Sequence, residues 1–187
     1  MNMTVSNLIR GAGLAAALAG ALFVIADLIT LIVFIVGQGP IIQGGLLVRA
    51  ILSAAAVVVL LLGLVGLYAY RSEATGILGL TGFLVAFAGI VLGQSFTWAA
   101  LLGNLGFLLF GLASVQVRAY PRAASILLVI GAVIGGVISI IALSGGPNNL
   151  VAYGRLGADI ILSVAIGWLG FIVFTKRDVE VSDTSPS

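Results

Sequence analysis

Two acids and two arginines interrupt otherwise apolar sequence, and their placement limits the chemistry open to this chain. Asp27 lies inside the run Gly11–Val36, GAGLAAALAGALFVIADLITLIVFIV. Arg49 stands near the start of another such run. Arg155, Asp159 and Ser163 follow one another at four-residue spacing in a third, so on a helix they share one face. Two amides, Gln94 and Asn104, lie in the middle of the chain. An ionised group in lipid costs several kcal/mol unless it is paired or hydrated, and such residues mark ion, proton or solute sites by default. The competing role is structural: two acids and two arginines neutralise one another and pin helix register, with little net stability. Arg155 and Asp159 suit that role, although a cation preceding an acid is the less favourable order in a helix.

Catalytic roles find less support. The chain has no His and no Cys. That removes the commonest general base, thiol chemistry, and most zinc and copper sites. Paired aspartates on different spans are the equipment of intramembrane aspartyl proteases, which carry Tyr-Asp and Gly-x-Gly-Asp motifs. Here the acids sit in Ile25-Ala26-Asp27 and Leu156-Gly157-Ala158-Asp159, and neither matches. A nucleophilic serine would need a base, and the only lysine, Lys176, stands at the rim of the last span. The chain is therefore expected to be no enzyme and to hold no cofactor.

The elements that must position these residues are membrane spans. Of 187 residues 61% are hydrophobic and 7% charged, and the mean hydropathy is +1.31. A soluble domain needs about 25% charged residues to cover its surface; this chain must meet lipid instead. Six runs are long enough to cross a hydrocarbon core of roughly 30 Å at 1.5 Å per residue. They fall at about 11–36, 46–70, 74–93, 98–117, 123–143 and 155–175. Together they predict an all-α polytopic bundle of six helices, a single transmembrane domain over 1–175. A charged, Ser-rich tail at 176–187 reads as disordered. The first run extends well past the length of a signal-peptide core, so it reads as an uncleaved span. Ser95 or Thr97 is expected to cap the fourth span, and Ser144–Asn149 is the clearest turn.

Arginine placement orients the spans. One side receives Arg10, Arg71, Arg118, Arg122, Lys176 and Arg177, and the other only Arg49 and Arg155. The positive-inside rule then puts both termini in the cytoplasm. This accounts for the net charge of +2 better than nucleic-acid binding, since no basic run is interleaved with aromatics. In this topology Asp27, Arg49, Gln94, Asn104, Arg155 and Asp159 all fall in the outer half of the membrane and can line one polar pocket open to the outside. Asp27 lies nine residues from the outer end of its span, roughly 13 Å deep.

Helices in lipid associate by close backbone approach, and the 26 glycines serve that need. The third span carries Gly79, Gly82, Ala86, Gly89 and Gly93 at 3-4 spacing, and the fourth carries Ala99, Gly103, Gly106, Phe110 and Ala113. These two seams are natural partners. Asp27 shares the small-residue face of its own span with Gly13, Ala16, Gly20, Phe23 and Thr30, so it points into the bundle. A weak repeat is visible as well: Arg49 and Ser53 match Arg155 and Asp159, and Gly63-x-x-Gly66 matches Gly167-x-x-Gly170.

The stretches Tyr70-Arg71-Ser72-Glu73-Ala74-Thr75-Gly76-Ile77-Leu78-Gly79-Leu80-Thr81-Gly82-Phe83 and Phe110-Gly111-Leu112-Ala113-Ser114, the latter followed by Tyr120-Pro121-Arg122-Ala123-Ala124 and Gly131-Ala132, resemble small multi-span membrane proteins of bacteria. The resemblance covers spans three to five. It implies a bacterial inner-membrane protein and carries no activity or functional residue with it. Two functions are expected from all this. One is binding or transport of a small solute, lipid head group or proton through the outward pocket. The other is an accessory or scaffold subunit, meeting partners or a second copy of itself through glycine-rich faces within the bilayer.

Overall fold

The computed structural model describes residues 5–36, 40–93, 96, 98–116 and 120–175, the side chains of residues 5, 6, 40, 41 and 71–73 excepted. Gln94, the expected caps Ser95 and Thr97, and the tail 176–187 lie outside the described residues.

Apolar runs of this length form helices because a helix satisfies every backbone polar group internally, which lipid demands. The helices are α1 (Asn7–Val36), α2 (Ile42–Tyr70), α3 (Ala74–Gly93), α4 (Ala99–Gln116), α5 (Arg122–Leu143) and α6 (Asn148–Thr175). All six are long and apolar enough to cross a membrane. Helical backbone also reaches past some of the apolar runs: the first helix begins at Val5 and the last at Asn148, ahead of the residues where hydropathy rises. Polar residues at a helix start continue the hydrogen-bonded ladder as readily as apolar ones.

Helical turns follow one another over the 54 residues Pro40–Gly93, with Pro40 at the first position, where its missing N–H costs nothing. Straight, that stretch would be roughly 81 Å long. It is not straight. The rings of Tyr68 and Phe83 stack with centroids 5.0 Å apart, whereas fifteen residues of straight helix would separate them by roughly 22 Å. The chain therefore reverses between α2 and α3. Gly76 lies in that interval with φ +56°, a left-handed conformation that costs other L-residues about 1–2 kcal/mol. Gly145 plays the equivalent part after α5, at φ +76°. There the N–H of Gly146 donates to the Ile141 carbonyl at 2.9 Å and that of Gly145 to Ala142 at 3.3 Å. These two bonds form a Schellman cap, and Pro147 follows it.

Each helix packs on its neighbour in the chain, and α6 returns to α1, closing a ring. Small residues set the contacts. Gly89 of α3 meets Gly103 of α4, Gly106 meets Ala86, and Gly82 meets Phe110. The two seams expected to pair do so, inside the bundle. α1 is held on both sides: Gly63 and Gly66 of α2 lie on Ala16 and Ala12, and Gly167 and Gly170 of α6 lie on Gly20 and Ala17. The glycine pairs of the repeat thus grip opposite sides of one helix. The start of α1 and the end of α6 share one end of the bundle, where Gly13 approaches Val173 and the Arg10 guanidinium lies 5.8 Å from the Phe174 ring centroid.

At that same end the buried Tyr120 hydroxyl donates to the carbonyl of Leu67, and its ring lies 5.9 Å from Tyr70 and 6.5 Å from Phe110. It ties the α4–α5 connection to the last turn of α2. Tyr120→Phe is expected to lower stability by about 1 kcal/mol, read as a fall of a few degrees in the melting temperature of the detergent-purified protein.

Candidate functional site

The contacts around α1 fix the level of its acid. Gly63 on Ala16 and Gly45 on Val33 set the α1–α2 register, and antiparallel rise from those points brings Asp27 level with residues 51 and 52 of α2. Gly20 against Ser163 and Gly167, with Gly170 against Ala17, likewise brings Asp27 level with Asp159 of α6. Arg49 stands two to three residues of helix, and Arg155 four, nearer the end of the bundle remote from the termini. The charges therefore form two layers: arginines above, carboxylates roughly 3–6 Å below at helical rise.

Between the helices lies a cavity of about 350 Å³, within the range of pockets that hold small molecules. Arg49, Asn104, Arg155, Asp159 and Asp27 all line it. At its mouth Arg49, Gly93 and Arg155 are exposed. Its floor is apolar, built from Leu60, Phe107 and Ile166, each less than a tenth exposed. From Arg49 to Leu60 is eleven residues of helix, roughly 16 Å, or about half of a hydrocarbon core of roughly 30 Å. The cavity is open at one end and closed near mid-depth. Of the described lining residues none belongs to α5.

Asp27 is 5% exposed, and among the described residues its buried Oδ2 has no hydrogen-bond partner. Among the described residues no arginine nitrogen comes within 4.0 Å of a carboxylate oxygen of Asp27 or Asp159. The charges still act across the open space: Asp159 and Arg49 on Asp27, Arg155 and Arg49 on Asp159. The same-face pairing of Arg155 with Asp159 that the spacing allows is thus not made as a direct contact. A neighbour of Asp27 on the same face, Thr30, donates its hydroxyl to the Ala26 carbonyl at 2.9 Å and so satisfies itself within its own helix.

Asn104 plays a different part from the charged four. Its amide nitrogen donates to the Ala100 carbonyl at 2.9 Å and to Ser139 Oγ at 3.4 Å. Ser139 in turn donates to Gly135 at 2.7 Å. Asn104 lines the cavity, but its amide fastens α4 to α5. Gln94 lies outside the described residues.

Two hydroxyls not counted among the site residues enter the wall, Ser53 and Ser163. The repeat is the signal that finds them. Arg49, Ser53, Val57 and Leu60 on α2 recur as Arg155, Asp159, Ser163 and Ile166 on α6 at the same 4-4-3 spacing, and all eight line the cavity. The two helices run parallel on either side of α1, so the matched residues face one another. No family model, curated protein or solved structure matches the chain.

Proposed function

We propose that this six-helix protein binds a small polar solute in the cavity around Asp27. The observation that carries the proposal is that Asp27, buried and without a direct arginine partner among the described residues, lines an open cavity with two arginines at its mouth. A carboxylate in a dry helix interface would need a direct partner to offset its desolvation; here the geometry leaves room for one to be supplied from outside. The arginine asymmetry of the loops and the likeness of spans three to five to bacterial proteins support a bacterial cytoplasmic membrane. Both termini then lie inside the cell and the cavity opens outward.

The absence of cysteine makes the test direct. Ser53 lies in the cavity wall, while Ile51, 62% exposed on the same helix, faces lipid. Thiol reagents attack the thiolate, which needs water. In intact cells a membrane-impermeant thiol reagent is expected to label Ser53→Cys at least tenfold faster than Ile51→Cys. An unreactive Ser53→Cys contradicts the hydrated cavity. Labelling confined to inside-out vesicles keeps the cavity and reverses the orientation.

A further inference from the structure

The order of charges in the cavity narrows the class of solute, given that the cavity binds one. Arg49 and Arg155 occupy matched positions on parallel helices flanking α1, both at the mouth and both exposed. Guanidinium groups match carboxylate and phosphate oxygens by shape as well as charge. Deeper, by two to three residues of rise for Asp27 and four for Asp159, the two carboxylates stand close to one level, and both residues line the cavity. Two carboxylates facing one space repel, and an ammonium between them relieves that repulsion. Phe23 and Phe107 add aromatic rings to the lower wall, and ring faces attract organic cations. The cavity as a whole is neutral, two positive against two negative, with opposite signs separated along its axis. A simple cation would meet the arginines first; a simple anion would meet the carboxylates at the bottom.

We propose that the cavity takes a zwitterion, its anionic group held at the mouth by Arg49 and Arg155 and its ammonium seated below between Asp27 and Asp159. The layers are roughly 3–6 Å apart along the helices, so the two charges of the ligand are separated by several bonds. An aminoalkyl phosphate or an amino acid with a terminal rather than an α-amino group fits this spacing. The same chemistry occurs in a free solute and in an ethanolamine-type lipid head group.

The test uses the full chain in detergent, with calorimetric titration of O-phosphoethanolamine, ethanolamine and inorganic phosphate. O-phosphoethanolamine is expected to bind at least tenfold more tightly than either half alone. In Asp27→Asn it should bind no better than phosphate, and in the double variant Arg49→Gln, Arg155→Gln no better than ethanolamine. Gel filtration confirms that each variant remains folded. Repeating the titration in nanodiscs with and without phosphatidylethanolamine separates the sources. Competition by the lipid supports the zwitterion as a head group, and its absence supports the zwitterion as a free solute. If ethanolamine or phosphate alone binds as tightly as O-phosphoethanolamine, or if none of the three binds while Ser53→Cys is labelled, the zwitterion is overturned and the hydrated cavity stands. If Ser53→Cys is not labelled, the binding reading itself falls.

Discussion

Gly106→Leu is expected to lose most of the folded protein, because no side chain fits where α4 crosses α3. A Cβ at Gly106 would overlap the backbone nitrogen of Ala86 and stand 2.7 Å from its Cβ. Backbone on the facing helix has no rotamer to change, so the helices must separate or slide. Overpacking a core that can relax costs about 1–3 kcal/mol. Here the clash is with main chain, and the effect belongs at or above the top of that range. Separation would also break the contact of Gly89 with Gly103, where a Cβ would likewise overlap backbone, since the two contacts lie on one seam. The seam carries α3's share of the cavity, so solute binding should fall with stability. Gly157→Ala is the control. Nothing lies within 4 Å of a Cβ at that position, and alanine is the better helix former by about 1 kcal/mol, so its melting temperature should hold or rise. Thermal unfolding of the detergent-purified variants, followed by the recovery of monodisperse protein, separates the two outcomes.

Much of this architecture is legible in the residues alone. Six runs of adequate length announce six helices, and the 3-4 spacing of small residues in the third and fourth runs identifies which faces meet. The same spacing puts Asp27 on the inner face of its helix. Other features are written in distances that periodicity does not contain. The return of α6 to α1 joins the two ends of the chain, and no local pattern specifies such a pairing. The reversal between α2 and α3 falls where the second and third runs part, at 70–74, but the left-handed turn at Gly76 and the stacking of Tyr68 on Phe83 are not contained in the periodicity. Asn104 reads in the sequence as one more polar group for the pocket, yet its amide is spent on Ala100 and Ser139. A buried amide takes whatever partners its neighbours offer, and those neighbours lie on another helix. The weak repeat gains a physical meaning from the fold. It places two copies of one pattern on parallel helices around a common partner, and Asp159 stands in one copy where Ser53 stands in the other.

Asp27 is the residue on which the account turns. If it were a structural ion-pair member in a dry interface, removing its charge would leave an arginine without its partner. Breaking such a pair costs about 3–5 kcal/mol. Among the described residues Asp27 has no direct arginine partner and its Oδ2 no hydrogen bond, and the arginines stand at the cavity mouth. Asn preserves the shape of the side chain and carries no charge to desolvate. Asp27→Asn should therefore fold, insert and melt at or above the temperature of the parent protein, while losing at least tenfold in affinity for O-phosphoethanolamine. The most direct test of the account is the pair of melting curves, parent and Asp27→Asn, taken in the same detergent without added solute. An unchanged or raised midpoint is the predicted result. A fall of several degrees would show that Asp27 holds the bundle together through an arginine, and would contradict its role as the open end of a binding site.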